Sequence, residues 1–196
     1  MKKIFLLTLC FILISASTTF AGAAEDFLSR SGPTVGIVIV GGSDFRTPDY
    51  YGYIDKTFSA KDKKTYGSYK IVSGNDMQSK YLNFWIDKGF LEEQFPKKQD
   101  FLDFVKYSGY EKILFLMVKD PVTDKHSRTA GIFGAVTQTR TSVQINAFLC
   151  DDSDIVKSYT AIKEDDSEWS DLRAKRGAFE KAIRDIAEQL IPYLGK

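Results

Sequence analysis

A chain of 196 residues with 43% apolar and 27% charged residues has the size and composition of one globular domain with a sizeable core. A formal charge of +1 argues against a general nucleic-acid binder, which carries a basic excess. Two cysteines and one histidine supply neither a disulfide framework nor a zinc ligand set.

Met1-Lys2-Lys3 is a short basic start, and Ile4 to Ile14 is apolar apart from Thr8 and Cys10. Ala21-Gly22-Ala23 then supplies a small-residue cleavage site. Residues 1–23 therefore read as a secretory leader, because a segment of eleven residues is too short to span a membrane. Cys10 lacks the small residue before it that lipidation requires. Without the leader only Cys150 is left, at the end of an apolar strand pattern where a buried small hydrophobe is expected. The expected address is the periplasm in a source with an outer membrane, and the exterior otherwise, with no transmembrane span after cleavage.

Residues 24–33 read as a linker or short helix, and 34–196 as a single domain. Thr34 to Val40 is an apolar strand needing cover on both faces. After Gly41-Gly42-Ser43-Asp44-Phe45-Arg46, Asp44 or Thr47 caps a helix with Pro48 in its first turn. Tyr50, Tyr51, Ile54 and Phe58 form the inner face of that helix. Tyr66 to Val72 reads as an edge strand. Met77, Tyr81, Phe84, Trp85 and Lys88 trace the next helix, stopped by Gly89. Asp100 is expected to cap a short helix that ends at Gly109.

Ile113 to Val118 is an unbroken apolar run of six residues, the pattern of a central strand buried on both faces. Val122 to Thr129 reads as a polar loop, and Ala130 to Ala135 as a glycine-rich tip. From Val136 to Cys150 polar and apolar residues alternate, which predicts a long strand with one wet face. An Asp-rich turn at Asp151–Asp154 leads to a partner strand, Ile155 to Ile162. Glu164 to Ser170 reads as an acidic link. A helix from about Trp169 to Tyr193 buries Leu172, Phe179, Ile183, Ile186, Leu190 and Leu194. The order β-α-β-α-α-β-β-β-α predicts an α/β fold with an α+β tendency. Its mixed five-stranded sheet is covered by helices, with the crossovers in the parallel half and the hairpins in the antiparallel half.

An early apolar strand at Val35–Val40, the Ser108-Gly109-Tyr110-Glu111-Lys112 turn into a strand, two long meandering strands and a terminal amphipathic helix have a counterpart. In this order, over most of Thr34 to Lys196, the chain resembles the envelope modules typified by the amino-terminal domain of TolB and the periplasmic domain of the curli secretion protein CsgG. The resemblance implies an assembly or interaction module and no catalytic residues. The chain has no propeller, lipidated cysteine or pore-forming insert, so the specific roles of those relatives do not follow.

Gly41, Gly42, Ser43, Asp44 and Arg46 follow a strand and offer an anion or small-molecule site, although no Walker or dinucleotide pattern is present. The plain alternative is a tight turn. His126, the only histidine, would have to serve any Ser-His-Asp hydrolase, with Ser43 or Ser127 and Asp120 or Asp124. No nucleophile elbow accompanies it, and a solvated loop histidine is the simpler reading. Asp151, Asp152 and Asp154 lack the later glycine and terminal glutamate of a calcium loop. Ile132 and Phe133, beside glycines, and the polar strand face with Gln138, Arg140 and Gln144 form the expected partner surface. The alternative places Ile132 and Phe133 in the core. The expectation is an exported, non-enzymatic protein-interaction module, without cofactor or metal, that contacts an envelope protein or a second copy of itself. The runner-up is a ligand binder using Gly41–Arg46, and a hydrolase using His126 comes third.

Overall fold

The computed structural model describes residues 32–59, 67–129 and 135–196. The leader, residues 24–31 and the tip residues Ile132 and Phe133 lie outside the described residues.

Strand β1 (Thr34–Gly41) is followed by a 3-10 turn (Ser43–Phe45) and helix α1 (Pro48–Ser59). Next come β2 (Lys70–Val72), α2 (Asn75–Asp87), α3 (Lys98–Ser108) and β3 (Lys112–Val118). The chain ends with β4 (Val122–Thr129), β5 (Ala135–Cys150), β6 (Ile155–Ser167) and α4 (Asp171–Leu194). These elements make a mixed α/β domain, with a six-stranded sheet and four helices among the described residues.

β1 lies between β2 and β3 and pairs with both in parallel. β3 is buried along its whole length. Leu114, Leu116 and Val118 point into a core under α1 and α4, whereas Ile113, Phe115 and Met117 point into a second core under α2 and α3. The two-faced apolar run therefore does mark the middle layer of a three-layer sandwich.

The antiparallel half is organised on β5. One side of β5 pairs with β3 (Val118 opposite Ile145) and then with β4 (Val122 opposite Ser142), while the other side pairs with β6. Lys119, Asp120 and Pro121 oppose only Val143 and Gln144, so a bulge joins β3 to β4. The Lys119 amide donates to the Gln144 carbonyl at 3.0 Å. Pro121 sits where the ladder is already broken and no donor is needed.

Five sequence expectations change. Asp100 does not cap α3 but is its third residue; the cap is Lys97, whose amide donates to the Asp100 carboxylate at 2.8 Å. Val122–Thr129 is a strand, not a loop, so the sheet has six strands instead of five. As a one-sided edge with exposed residues from Val122 to Asp124, it needs no apolar alternation. Most of the acidic link belongs to β6, which runs to Ser167. Leu172 is 65% exposed, and Ala174, Ala178 and Phe179 begin the buried stripe of α4. Lys88 is not on an inner face: it lies at the C-terminus of α2 and pairs with Asp100 (2.8 Å) and Asp103 (2.9 Å) of α3.

Candidate functional site

β2 is only three residues long and pairs with β1 no further than Gly36. The upper edge of β1 therefore lacks a neighbouring strand, and its backbone groups need other partners. Side chains supply them. The Gln78 carboxamide of α2 accepts from the Ile39 amide (3.3 Å) and donates to the Ile39 carbonyl (3.0 Å). The Glu93 carboxylate, on the connection between α2 and α3, accepts from the Gly41 amide at 3.2 Å. It also accepts a short hydrogen bond from Arg46 Nη2.

The Gly41–Arg46 segment is thus already engaged within the chain. The Gly41 amide and the Arg46 guanidinium both meet Glu93. Asp44 is turned away towards α4, where Lys175 Nζ donates to it at 2.8 Å. That hydrogen bond, with the charge of Lys175, holds the Asp44 carboxyl below its usual range. Phe45 is buried and stacks on Phe179 of α4 with ring centroids 4.8 Å apart. Gly41 and Gly42 both have positive φ, at 68° and 49°. A Cβ at Gly42 would lie 2.8 Å from Val118 Cβ, so the turn is pressed against the end of β3.

The carboxyl ends of β1 and β3 border a cleft of ≈ 480 Å³. Its walls include Val40, Met117 and Phe95, together with Gly41 and Gly42 of the expected ligand loop, and Lys119, Asp120 and Asn146 are among its polar groups; Ser43, Asp44 and Arg46 do not line it. Glu93, Gln78 and Phe95 carry no local sequence signal, because their roles depend on where α2 and its following connection cross β1.

A second feature adjoins the cleft through Asn146. On β5 the core under α2 and α3 reaches Phe148, which stacks on Phe101 of α3 with centroids 5.3 Å apart. Beyond it on the same face, Asn146, Gln144 and Ser142 are half-buried and Arg140 is exposed. The cross-strand neighbours Thr160, Ile162, Glu164 and Asp166 extend this face onto β6, and Val122 and Asp124 extend it onto β4. Arg140 Nε donates to Asp166 at 2.9 Å and lies 3.9 Å from Glu164. Asn146 Oδ1 accepts from Gln144 Nε2 (3.2 Å) and Thr160 Oγ1 (3.1 Å). Two apolar side chains stand among these polar groups, Ile162 at 60% and Val122 at 70% exposure. Gln138, Arg140 and Gln144 share this face, separate from the Gly41–Arg46 turn.

His126 lies on β4 opposite Gln138, not in a loop. Ser127 is the next strand residue and projects to the opposite face. Among the described residues no hydrogen bond joins His126 to a carboxylate or hydroxyl. Asp151 closes its own turn, accepting from the Ser153 amide (2.9 Å), Ser153 Oγ (2.6 Å) and the Asp154 amide (2.8 Å). No helix among the described residues is long and apolar enough to cross a membrane.

No family model matches the chain, and no curated protein matches it. Solved structures do. The lipoprotein GNA1162 of Neisseria meningitidis is 14% identical over 81% of this chain and 97% of its own, with a TM-score of 0.40. Protein XCC0632 of Xanthomonas campestris is 12% identical over 84% of each chain, with a TM-score of 0.40. PelC of Paraburkholderia phytofirmans, a dodecamer, is 12% identical over 85% of this chain and 91% of its own, with a TM-score of 0.37. Likenesses at these levels transfer neither activity nor assembly. The resemblance to the TolB and CsgG group has no family match behind it.

Proposed function

We propose that this chain is an exported, non-enzymatic envelope module that acts by polypeptide contact through the open face of β4, β5 and β6. The observation that carries this reading is the face itself. Three paired strands hold a set of ordered polar side chains around two solvent-facing apolar ones, Ile162 and Val122. Apolar anchors within a satisfied polar surround are the anatomy of a protein interface. A strand-built surface also presents them without the cost of ordering a loop backbone. The partner is an envelope protein or a second copy of the chain. Nucleic acid is not expected, because Arg140 is matched by Asp166 and Glu164 on the same face.

The test is site-specific photo-crosslinking in envelope extract. A crosslinker at Gln144 or Ile162 is expected to capture one discrete polypeptide, and one at Arg184 on α4 is not. Ile162→Glu should abolish capture at Gln144 with an unchanged melting temperature. Equal capture from both faces, or none from the sheet face, would overturn the reading.

A further inference from the structure

The cleft at the ends of β1 and β3 has features that protein contact through the sheet face does not need. β1 leads through α1 on one face of the sheet to β2 on its one side. The chain then returns through α2 and α3 on the other face to β3 on its opposite side. The carboxyl ends of β1 and β3 therefore diverge at a topological switch point, the place where open α/β sheets hold ligands. The volume of ≈ 480 Å³ is that of a small-molecule pocket.

The lining specifies a class of ligand. Val40 and Met117 make an apolar wall, and Phe95, 82% exposed, stands at the mouth. Lys119 and Asp120, side by side on the bulge, add one charge of each sign. Neither forms an ion pair within the described residues. Asn146 has its carbonyl oxygen taken by Gln144 and Thr160, so its amide nitrogen is left as a donor. Apolar cover beside one cation, one anion and one neutral donor matches neither a simple anion nor a simple cation.

We infer that this cleft binds a small zwitterion with an apolar side group, of the class of the free apolar α-amino acids. The ligand carboxylate meets Lys119 and the Asn146 amide, its ammonium meets Asp120, and its side group lies on Met117 and Val40 beneath Phe95. Glu93, two residues before Phe95, ties the connection to the edge of β1 by accepting from the Gly41 amide and from Arg46. This inference is independent of the sheet-face reading and stands or falls separately from it.

The test is calorimetric titration of the full domain with L-leucine, L-methionine and L-phenylalanine. Saturable binding of at least one is expected. 3-Phenylpropanoate, which lacks the ammonium, and phenethylamine, which lacks the carboxylate, should each bind about tenfold more weakly than L-phenylalanine or not measurably, the loss expected for one charged contact. Lys119→Ala and Asp120→Ala should each weaken the amino acid by a similar factor. Lys119→Ala should leave phenethylamine unaffected, and Asp120→Ala should leave 3-phenylpropanoate unaffected. Both positions are exposed, so an unchanged melting temperature separates lost binding from lost folding. Phe95→Ser gives a third variant outside the charged pair and should also weaken binding. No binding at millimolar ligand, or binding indifferent to all three variants, would overturn the inference.

Discussion

At Gly42 a side chain has nowhere to go. The backbone is left-handed, and an added Cβ would be 2.8 Å from Val118. Gly42→Ala should therefore cost about 1–3 kcal/mol in urea unfolding. Gly52 provides the contrast, because it lies inside α1 and an added Cβ would meet nothing within 4 Å. Gly52→Ala should stabilise by about 1 kcal/mol on helix propensity alone. The pair of glycines after β1 was visible in the sequence as a turn. Its engagement by Glu93 was not, since the two sites are about fifty positions apart and meet only because β2 is too short to cover β1. Lys112 is a similar case. In the sequence it closes the apolar run as a polar residue, yet it is buried and its Nζ donates to the Tyr193 carbonyl at 2.8 Å, docking the end of α4 onto β3.

Elements were legible where burial is two-sided or one-sided and regular. β3 shows the first case and β5 the second, with Val143, Ile145, Ala147 and Leu149 all buried on one parity. β4 escaped because an exposed edge asks little of its side chains. Its register comes from β5, through pairs such as Asp124 opposite Arg140. The buried stripe of α4 begins later than its pattern suggests for a related reason. Leu172 looked like the first residue of the apolar stripe, whereas Ser170 caps the helix, accepting from the Arg173 amide at 3.2 Å, and Leu172 faces outward. The phase of α4 can be checked with two substitutions. Leu172→Ser should change stability by less than about 0.5 kcal/mol. Phe179→Ala should cost about 3–5 kcal/mol, because Phe179 is fully buried against Phe45 and Tyr50. Thermal or urea melts of both variants suffice.

At the scale of the whole domain, two cores share the sheet and Cys150 reports on one of them. It ends β5 in the core under α2 and α3, fully buried, and burial pushes its thiol up to about 12. In the chain without its leader it should resist thiol reagents until the domain opens. Its labelling rate in native buffer should be at least about a thousandfold below that in urea, as expected if exposure requires near-global unfolding. Rapid labelling of the native protein would show that this core opens locally.

The layers are written in the hydrophobic pattern. An apolar run covered on both faces, a long alternating strand and amphipathic helices can bury their surfaces in few other ways, and local hydrophobic patterning encodes that directly. The surface features depend instead on packing between distant elements. The open face needs three strands in register, one of them invisible by pattern. The cleft needs Val40, Phe95, Met117 and Asn146, drawn from separate elements, to converge at the ends of two strands. A site assembled across elements has no sequence period, because the distances that define it are set by packing and not by position along the chain.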